Sequence, residues 1–83
     1  MTKQEKLLSA LKDSKNTFEW DKLCSLMNSL GYQLIERAGS RVVFIHQDDD
    51  SDRIHLHKPH PENYLKGGAL KSVKMYLKTK GRI

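Results

Sequence analysis

The chain has 83 residues, enough for one small domain, which we expect to span residues 1–83. Hydrophobic residues make up 37% and charged residues 30%, a balance typical of a folded globular protein and not of a disordered tail. No apolar run approaches the ~18–20 residues of a membrane-spanning helix, and the single cysteine excludes an internal disulfide framework. These features favour a cytoplasmic protein that does not associate with a membrane.

The formal net charge is +5, and it is concentrated at one end of the chain. Residues 1–30 sum to +1 and residues 31–57 to −2, whereas residues 58–83 sum to +6. A basic face beside a nearly neutral body is typical of a nucleic-acid-binding protein. The alternative is a lysine-rich helix whose charged side chains are only solvated.

Two amphipathic helices are predicted first. In the helix over Lys3–Lys12, leucines share one face at positions 7, 8 and 11. In the next helix, apolar residues recur at helical spacing: Trp20, Leu23, Cys24, Met27 and Leu30. Thr17 is a candidate for the cap that begins this second helix, and Gly31 for the residue that ends it. Cys24 lies among the apolar residues, which indicates a core thiol and not a nucleophile.

After the second helix the period changes: Tyr32–Arg37 alternates and is rich in strand formers, which indicates a strand. Strands are predicted over Tyr32–Arg37, Arg41–His46 and Arg53–His57, joined by a short turn at 38–40 and an acidic loop over Gln47–Asp52. Successive strands with short connections form a three-stranded antiparallel meander.

A basic helix is predicted at the end, over about Gly68–Lys80. It follows the run Lys58-Pro59-His60-Pro61, which ends the third strand because proline cannot donate a hydrogen bond to the ladder. The helix directs Leu70, Val73, Tyr76 and Leu77 inward and places Lys71, Lys74 and Lys78 along another side. The predicted fold class is α+β, with two N-terminal helices, a three-stranded antiparallel sheet and a C-terminal helix.

The second and third predicted strands have a favoured register. If the even-numbered residues of both strands face the core, Arg41 stands opposite His57 and shares the outer face with His55, since side chains alternate with period two. The inward residues are then Val42, Phe44, Ile54 and Leu56. A slip by one residue would turn Arg41 inward as an unpaired charge, which is costly. The favoured register leaves an outer face that carries Arg41, Arg53, His55 and His57, with His60 just beyond.

Three of the four histidines lie within His55–His60, and they suit two kinds of chemistry. As metal ligands they lack a carboxylate or cysteine to complete the set, and the prolines at 59 and 61 stiffen their loop, so zinc is disfavoured and no cofactor is expected. As acid–base groups they suit proton transfer, because histidine moves protons without a metal. RNA suits this chemistry, because its 2′-hydroxyl is an internal nucleophile and cations hold its phosphate. Exposed histidines without a role are the remaining interpretation.

Several short pieces, in a fixed order, resemble the HicA toxins of bacterial type II toxin–antitoxin systems. The matching pieces are Leu30-Gly31-Tyr32, the turn Gly39-Ser40, the strand around Phe44, Lys58-Pro59-His60-Pro61 and the segment Tyr64–Val73. The resemblance covers the run from Leu26 to Ile83. It implies a fold similar to a double-stranded-RNA-binding domain, metal-independent cleavage of translated mRNA, and neutralisation by a HicB partner.

One position departs from the family pattern. The resemblance implies an active histidine directly after the Gly-Ser turn, where this chain has Arg41. Since the favoured register sets His57 opposite Arg41, we expect Arg41 to hold the phosphate and His57 to move the proton, with His55 as its substitute. The catalytic candidates are therefore His57 and His55. The RNA-binding candidates are Ser40, Arg41, Arg53, His60, Lys71, Lys74 and Lys78.

The leading hypothesis from the sequence is an RNA-binding toxin with endoribonuclease activity, with mRNA as its substrate and a HicB-like antitoxin as its partner. The rival is a non-catalytic RNA-binding or protein-interaction module that uses the same basic face. The third hypothesis is a small structural protein whose lysines are only solvated. Salt dependence separates the RNA-binding hypotheses from the structural one, because phosphate contacts release counterions and weaken steeply as salt rises.

Overall fold

The chain folds around a three-stranded antiparallel sheet, and the computed structural model describes residues 3–59 and 61–83. The elements in chain order are α1 (Lys3–Asp13), β1 (Thr17–Glu19), α2 (Trp20–Ser29), β2 (Tyr32–Glu36), β3 (Arg41–His46), β4 (Asp49–His57), β5 (Tyr64–Lys66) and α3 (Gly67–Thr79). Strands β2, β3 and β4 form the main sheet in that order, and β1 pairs with β5 in a second, two-stranded sheet. The predicted α+β class is confirmed, as are the three helices and the antiparallel meander.

One apolar core joins all three helices to the inner face of the main sheet. Val42, Phe44, Ile54 and Leu56 are buried in it, as the favoured register predicts. The helices contribute Leu11 from α1, Trp20, Leu23 and Met27 from α2, and Leu70, Val73 and Leu77 from α3. Because the helices cover the inner face, the opposite face of the sheet is left open to solvent.

The helices have 10 to 13 residues, and none in the described part of the chain is both long and apolar enough to cross a membrane. Helix α2 begins at Trp20, so the prediction that Thr17 caps it is wrong. Thr17 instead pairs with Lys66 in the two-stranded sheet, a non-local contact that the local pattern does not show. Gly31 ends the helix as predicted: its φ is +94°, and a Cβ there would lie 2.9 Å from Nε2 of His46, so only glycine fits.

The predicted acidic loop over Gln47–Asp52 is wrong. Strand β4 already begins at Asp49, and only Gln47 and Asp48 separate it from β3. A bulge between Ile45 and His46 shifts the register there, so that His46 pairs with Asp49. The strand turns Asp52 to the same side as Ile54 and Leu56, and Asp52 is only 2% exposed.

Hydrogen bonds compensate the burial of Asp52. Its carboxylate accepts from Tyr32 Oη at 2.9 and 3.0 Å, from Tyr76 Oη at 2.6 Å and from Arg82 Nη2 at 2.7 Å. Burial by itself raises the pKa of Asp52, but the bonds from Tyr76, Arg82 and Tyr32 and the charge of Arg82 outweigh it and lower the pKa to about 2. The cluster therefore connects β2, β4, α3 and Arg82 through one charged group.

The Asp52 cluster predicts a pH dependence of stability. Because the folded-state pKa is lowered from an ordinary value of 3.8 to about 2, the stabilisation is present above about pH 4 and is lost as the pH falls through 2. We expect it to amount to about 2 kcal/mol. Urea unfolding at pH 6, 4 and 2 checks this by comparing the parent with the Asp52→Asn variant. The parent should lose about 2 kcal/mol more than the variant, and parallel pH profiles would contradict the assignment.

Candidate nucleic-acid interface

The outer face of the main sheet carries its side chains in rows that run across the strands. Arg41 pairs with His57, and Val43 pairs with His55, as the favoured register predicts. The N–H of Arg37 donates to the carbonyl of Arg41 at 2.8 Å, so Arg37 continues the β2–β3 ladder. Arg37, Arg41 and His57 thus form one row across three chain segments, and His55 lies in the next row.

Arg41 and His57 occupy a position of the ladder where opposing side chains come close. The N–H of Lys58 donates to the carbonyl of Ser40 at 2.7 Å, which marks Ser40 and Lys58 as a hydrogen-bonded pair. Such pairs alternate along an antiparallel ladder, so Arg41 and His57 form a non-hydrogen-bonded pair with Cα atoms about 4.5 Å apart. The guanidinium and the imidazole therefore extend from neighbouring backbone positions toward the same solvent.

A shallow groove of about 340 Å³ follows these side chains. We call it the sheet groove; its polar lining is Arg37, Arg41, His55 and His57. All four are exposed, and none of their charged or imidazole groups makes a hydrogen bond or ion pair within residues 3–59 and 61–83. Its apolar lining is Val42 and Leu56. The groove is therefore accessible and cationic.

Arg37 is the residue of the sheet groove that sequence reasoning missed. The sequence could have predicted it, because the register argument used for the β3–β4 hairpin applies equally to the β2–β3 hairpin. Pairing Glu36 with Val42 across the turn at 38–40 leaves Arg37 opposite Arg41. Counting outward from that turn would have placed a second guanidinium beside the first.

The other strand and loop candidates lie at different distances from this row. Ser40 is exposed in the turn directly before Arg41. Arg53 shares the outer face, but it pairs with Ile45 two rows away, and its Nε donates to the carbonyl of Asp50 at 2.6 Å. His60 lies outside the described residues, and so does any metal site that includes it. Within the described ranges, no group of three or more His, Cys, Asp or Glu side chains is arranged to hold a metal ion.

The three helix lysines lie along a different groove. Lys71 and Lys78 are exposed, whereas Lys74 is half-buried and its Nζ donates to the carbonyls of Ser14 at 2.6 Å and Lys12 at 3.5 Å. Between α1 and α3 runs a groove of about 690 Å³. We call it the lysine groove; the basic residues that line it are Lys12, Lys15, Lys71, Lys74 and Lys78. It shares no lining residue with the sheet groove, so the structure separates the predicted lysine contacts from Arg41 and His57.

Cys24 lies half-buried at the margin of the core. Burial, and then the nearby carboxylate of Asp21, raise the pKa of the Cys24 thiol, against a smaller opposite effect of Lys58. A raised pKa keeps the thiol protonated at neutral pH, which does not suit a nucleophile.

Fold and site together define a small basic α+β domain with a cationic, histidine-bearing sheet face. The family model described as the HicA toxin of bacterial toxin–antitoxin systems matches residues 20–81. The chain therefore belongs to the HicA toxin family, and membership assigns it a toxin role with an antitoxin partner. No curated protein and no solved structure matches the chain. Helix α1 lies outside the matched region.

Proposed function

We propose that this chain is an endoribonuclease toxin that cleaves mRNA without a metal ion and that a HicB-like antitoxin neutralises it. Its substrate class places its action in the cytoplasm, and the whole of residues 1–83 acts as one domain. The observation that carries the proposal is the row of Arg37, Arg41 and His57 across the open face of the sheet. The row supplies an imidazole although Arg41 replaces the histidine that the family resemblance implies.

The two guanidinium groups suit a phosphate. Arginine presents planar, permanently charged donors that bind phosphate oxygens through paired hydrogen bonds. Arg41 and Arg37 are exposed and adjacent across the first hairpin, so both reach one phosphodiester. They also stabilise the negative charge that develops on that phosphate in the transition state.

The two histidines suit the proton transfers. His57 accepts the proton of the 2′-hydroxyl while the 2′-oxygen attacks the adjacent phosphorus. The bond from phosphorus to the 5′-oxygen of the next nucleotide breaks, and the leaving oxygen receives a proton from His55 in its protonated form. The products are a 2′,3′-cyclic phosphate and a 5′-hydroxyl end. His55 and His57 project from the same face two residues apart, a separation of about 7 Å along the strand, which suits groups acting on opposite sides of one phosphate.

Residues outside this row provide further contacts to the RNA on either side of the cleaved bond. Ser40 offers a hydroxyl beside Arg41, and Arg53 and His60 supply additional phosphate contacts near the sheet groove. Lys71 and Lys78 bind phosphates at a distance from the cleaved bond. The ammonium group of Lys74 already donates to carbonyl groups at the end of α1. We therefore expect Lys74 to contribute less to RNA binding than Lys71 and Lys78.

Cleavage of a single-stranded RNA in EDTA tests the proposed function. We expect products with a 2′,3′-cyclic phosphate and a 5′-hydroxyl, separated by gel and identified by mass. The matched substrate control is the same sequence made of DNA, which lacks the attacking hydroxyl and should remain intact. RNA binding without cleavage under any condition would instead support the non-catalytic module. Arg41 at the position of the implied histidine is the observation that favours that rival.

A further inference from the structure

The lysine groove has walls from two helices, and one of them lies outside the family-matched region. Lys12 and Lys15 come from the end of α1 and the turn after it, and Lys71 and Lys78 come from α3. Only residues 20–81 match the family model. The first wall is therefore a feature of this chain and not of the family pattern.

Helix α1 is packed firmly enough to form a wall. Leu11 is fully buried in the core, and Leu7 and Leu8 pack against it from the same helix. Lys74 Nζ ties α3 to the end of α1 through the carbonyl of Ser14 at 2.6 Å. The two walls are therefore fixed relative to each other by the packing of α1 on the core and by a charge-assisted hydrogen bond from α3.

The floor of the lysine groove is aliphatic. Its apolar lining consists of Leu70, Met75 and Ile83, and Met75 is 59% exposed. None of the described residues that line the groove is aromatic or acidic. Proteins that hold single-stranded RNA in a groove commonly stack its bases on aromatic rings, whereas an aliphatic floor gains most from burying aliphatic side chains.

We propose that the lysine groove binds an acidic amphipathic helical segment of a partner protein. Leucine-like side chains of that segment cover the floor at Met75, and its carboxylates meet the lysines on both walls. Lys71 and Lys78 are seven residues apart on α3, which is about 10 Å along the helix axis. Carboxylates spaced by two helical turns on a segment lying alongside α3 match that distance.

Occupation of the lysine groove has one consequence that rests on the proposed function. Lys71 and Lys78 are also proposed to contact RNA phosphates, so the acidic segment and RNA compete for the same ammonium groups. The bound segment would then weaken RNA binding without covering Arg41 or His57, because the two grooves share no lining residue.

Fluorescence anisotropy tests the inference with a labelled fifteen-residue helical peptide that carries a stripe of Leu flanked on both sides by Glu. Substituting both Lys12 and Lys15 by Gln should weaken peptide binding about five-fold, from two exposed ion pairs. The matched control carries Lys3→Gln and Lys6→Gln, which remove the same charge from exposed positions of α1 that do not line the groove. That control should leave the affinity within two-fold. Equal losses in both double variants would overturn the inference, since they would show only attraction to net charge.

The floor is tested separately through Met75→Ser and through a peptide whose leucines are replaced by serines. Each change should weaken peptide binding about ten-fold, because burial of a Met or Leu side chain is lost. Unchanged affinity in both would overturn the inference and leave the groove as a phosphate-binding track. A twelve-nucleotide RNA serves as the competitor, and Met75→Ser should leave its affinity unchanged. If the protein binds the peptide but not the RNA, the proposed function fails while this inference stands.

Discussion

Replacing His57 by Ala is expected to lower the rate of RNA cleavage by a factor of ~10²–10⁴, the usual loss when a general base is removed. Folding and RNA affinity should change little, because His57 is exposed on the outer face and its removal leaves no cavity. Single-turnover cleavage with enzyme in excess measures the rate without a contribution from product release. Thermal unfolding of the same sample shows that the variant is folded.

Two further variants serve as controls for the loss of cleavage rate expected in His57→Ala. Gln33→Ala removes an exposed side chain from the same sheet face in the row of Ile45, and it should cleave at the parental rate. Arg41→Ala should lower both affinity and rate, since Arg41 is assigned to the phosphate. If His57→Ala cleaves at the parental rate, the assignment is wrong and the base is to be sought at His55.

Replacing Trp20 by Ala is expected to destabilise the fold by about 3–5 kcal/mol, the range for loss of a buried aromatic side chain. Trp20 is 3% exposed, and its ring packs against Phe44 with centroids 5.9 Å apart. A domain of this size has a stability of about 5 kcal/mol or little more, so much of the population should be unfolded at 37 °C. Urea unfolding followed by circular dichroism measures the change.

An exposed residue of α3 provides the control for the core prediction. Met75→Ala removes a large apolar side chain from a solvent-facing position, and the free energy of unfolding should stay within about 0.5 kcal/mol of the parent. A Trp20→Ala protein whose free energy of unfolding also stays within about 0.5 kcal/mol of the parent would show that the ring does not stabilise the core.

Local pattern is sufficient for most of the fold and for the centre of the candidate site. The alternation of side-chain direction along β3 and β4, together with the cost of burying Arg41, is enough to place Arg41 opposite His57. The same reasoning succeeds for Gly31, whose position at the end of α2 requires a positive φ. These features depend on residues close in sequence, and short-range rules describe such residues well.

Non-local pairing explains the elements that the sequence pattern does not predict. Strands β1 and β5 have three residues each, and Phe18 finds its partner Leu65 far along the chain. So short a strand carries no period that distinguishes it from a turn. The local pattern therefore favours a helix cap at Thr17, although this residue and its neighbours form a strand.

The sequence by itself determined the α+β class, the paired Arg41 and His57, and the excess of positive charge near one end. Only the tertiary structure decided where two of the charged groups act. Asp52 stands in an acidic run typical of a solvated loop, yet Tyr32, Tyr76 and Arg82 surround it with donors and make it part of the interior. Lys74 has the spacing of a free phosphate contact, yet its Nζ is bound to Ser14. Both outcomes depend on hydrogen-bond partners 20 to 60 residues away in the sequence. A local amino-acid pattern cannot predict which distant donor or acceptor the fold brings into contact with a given side chain.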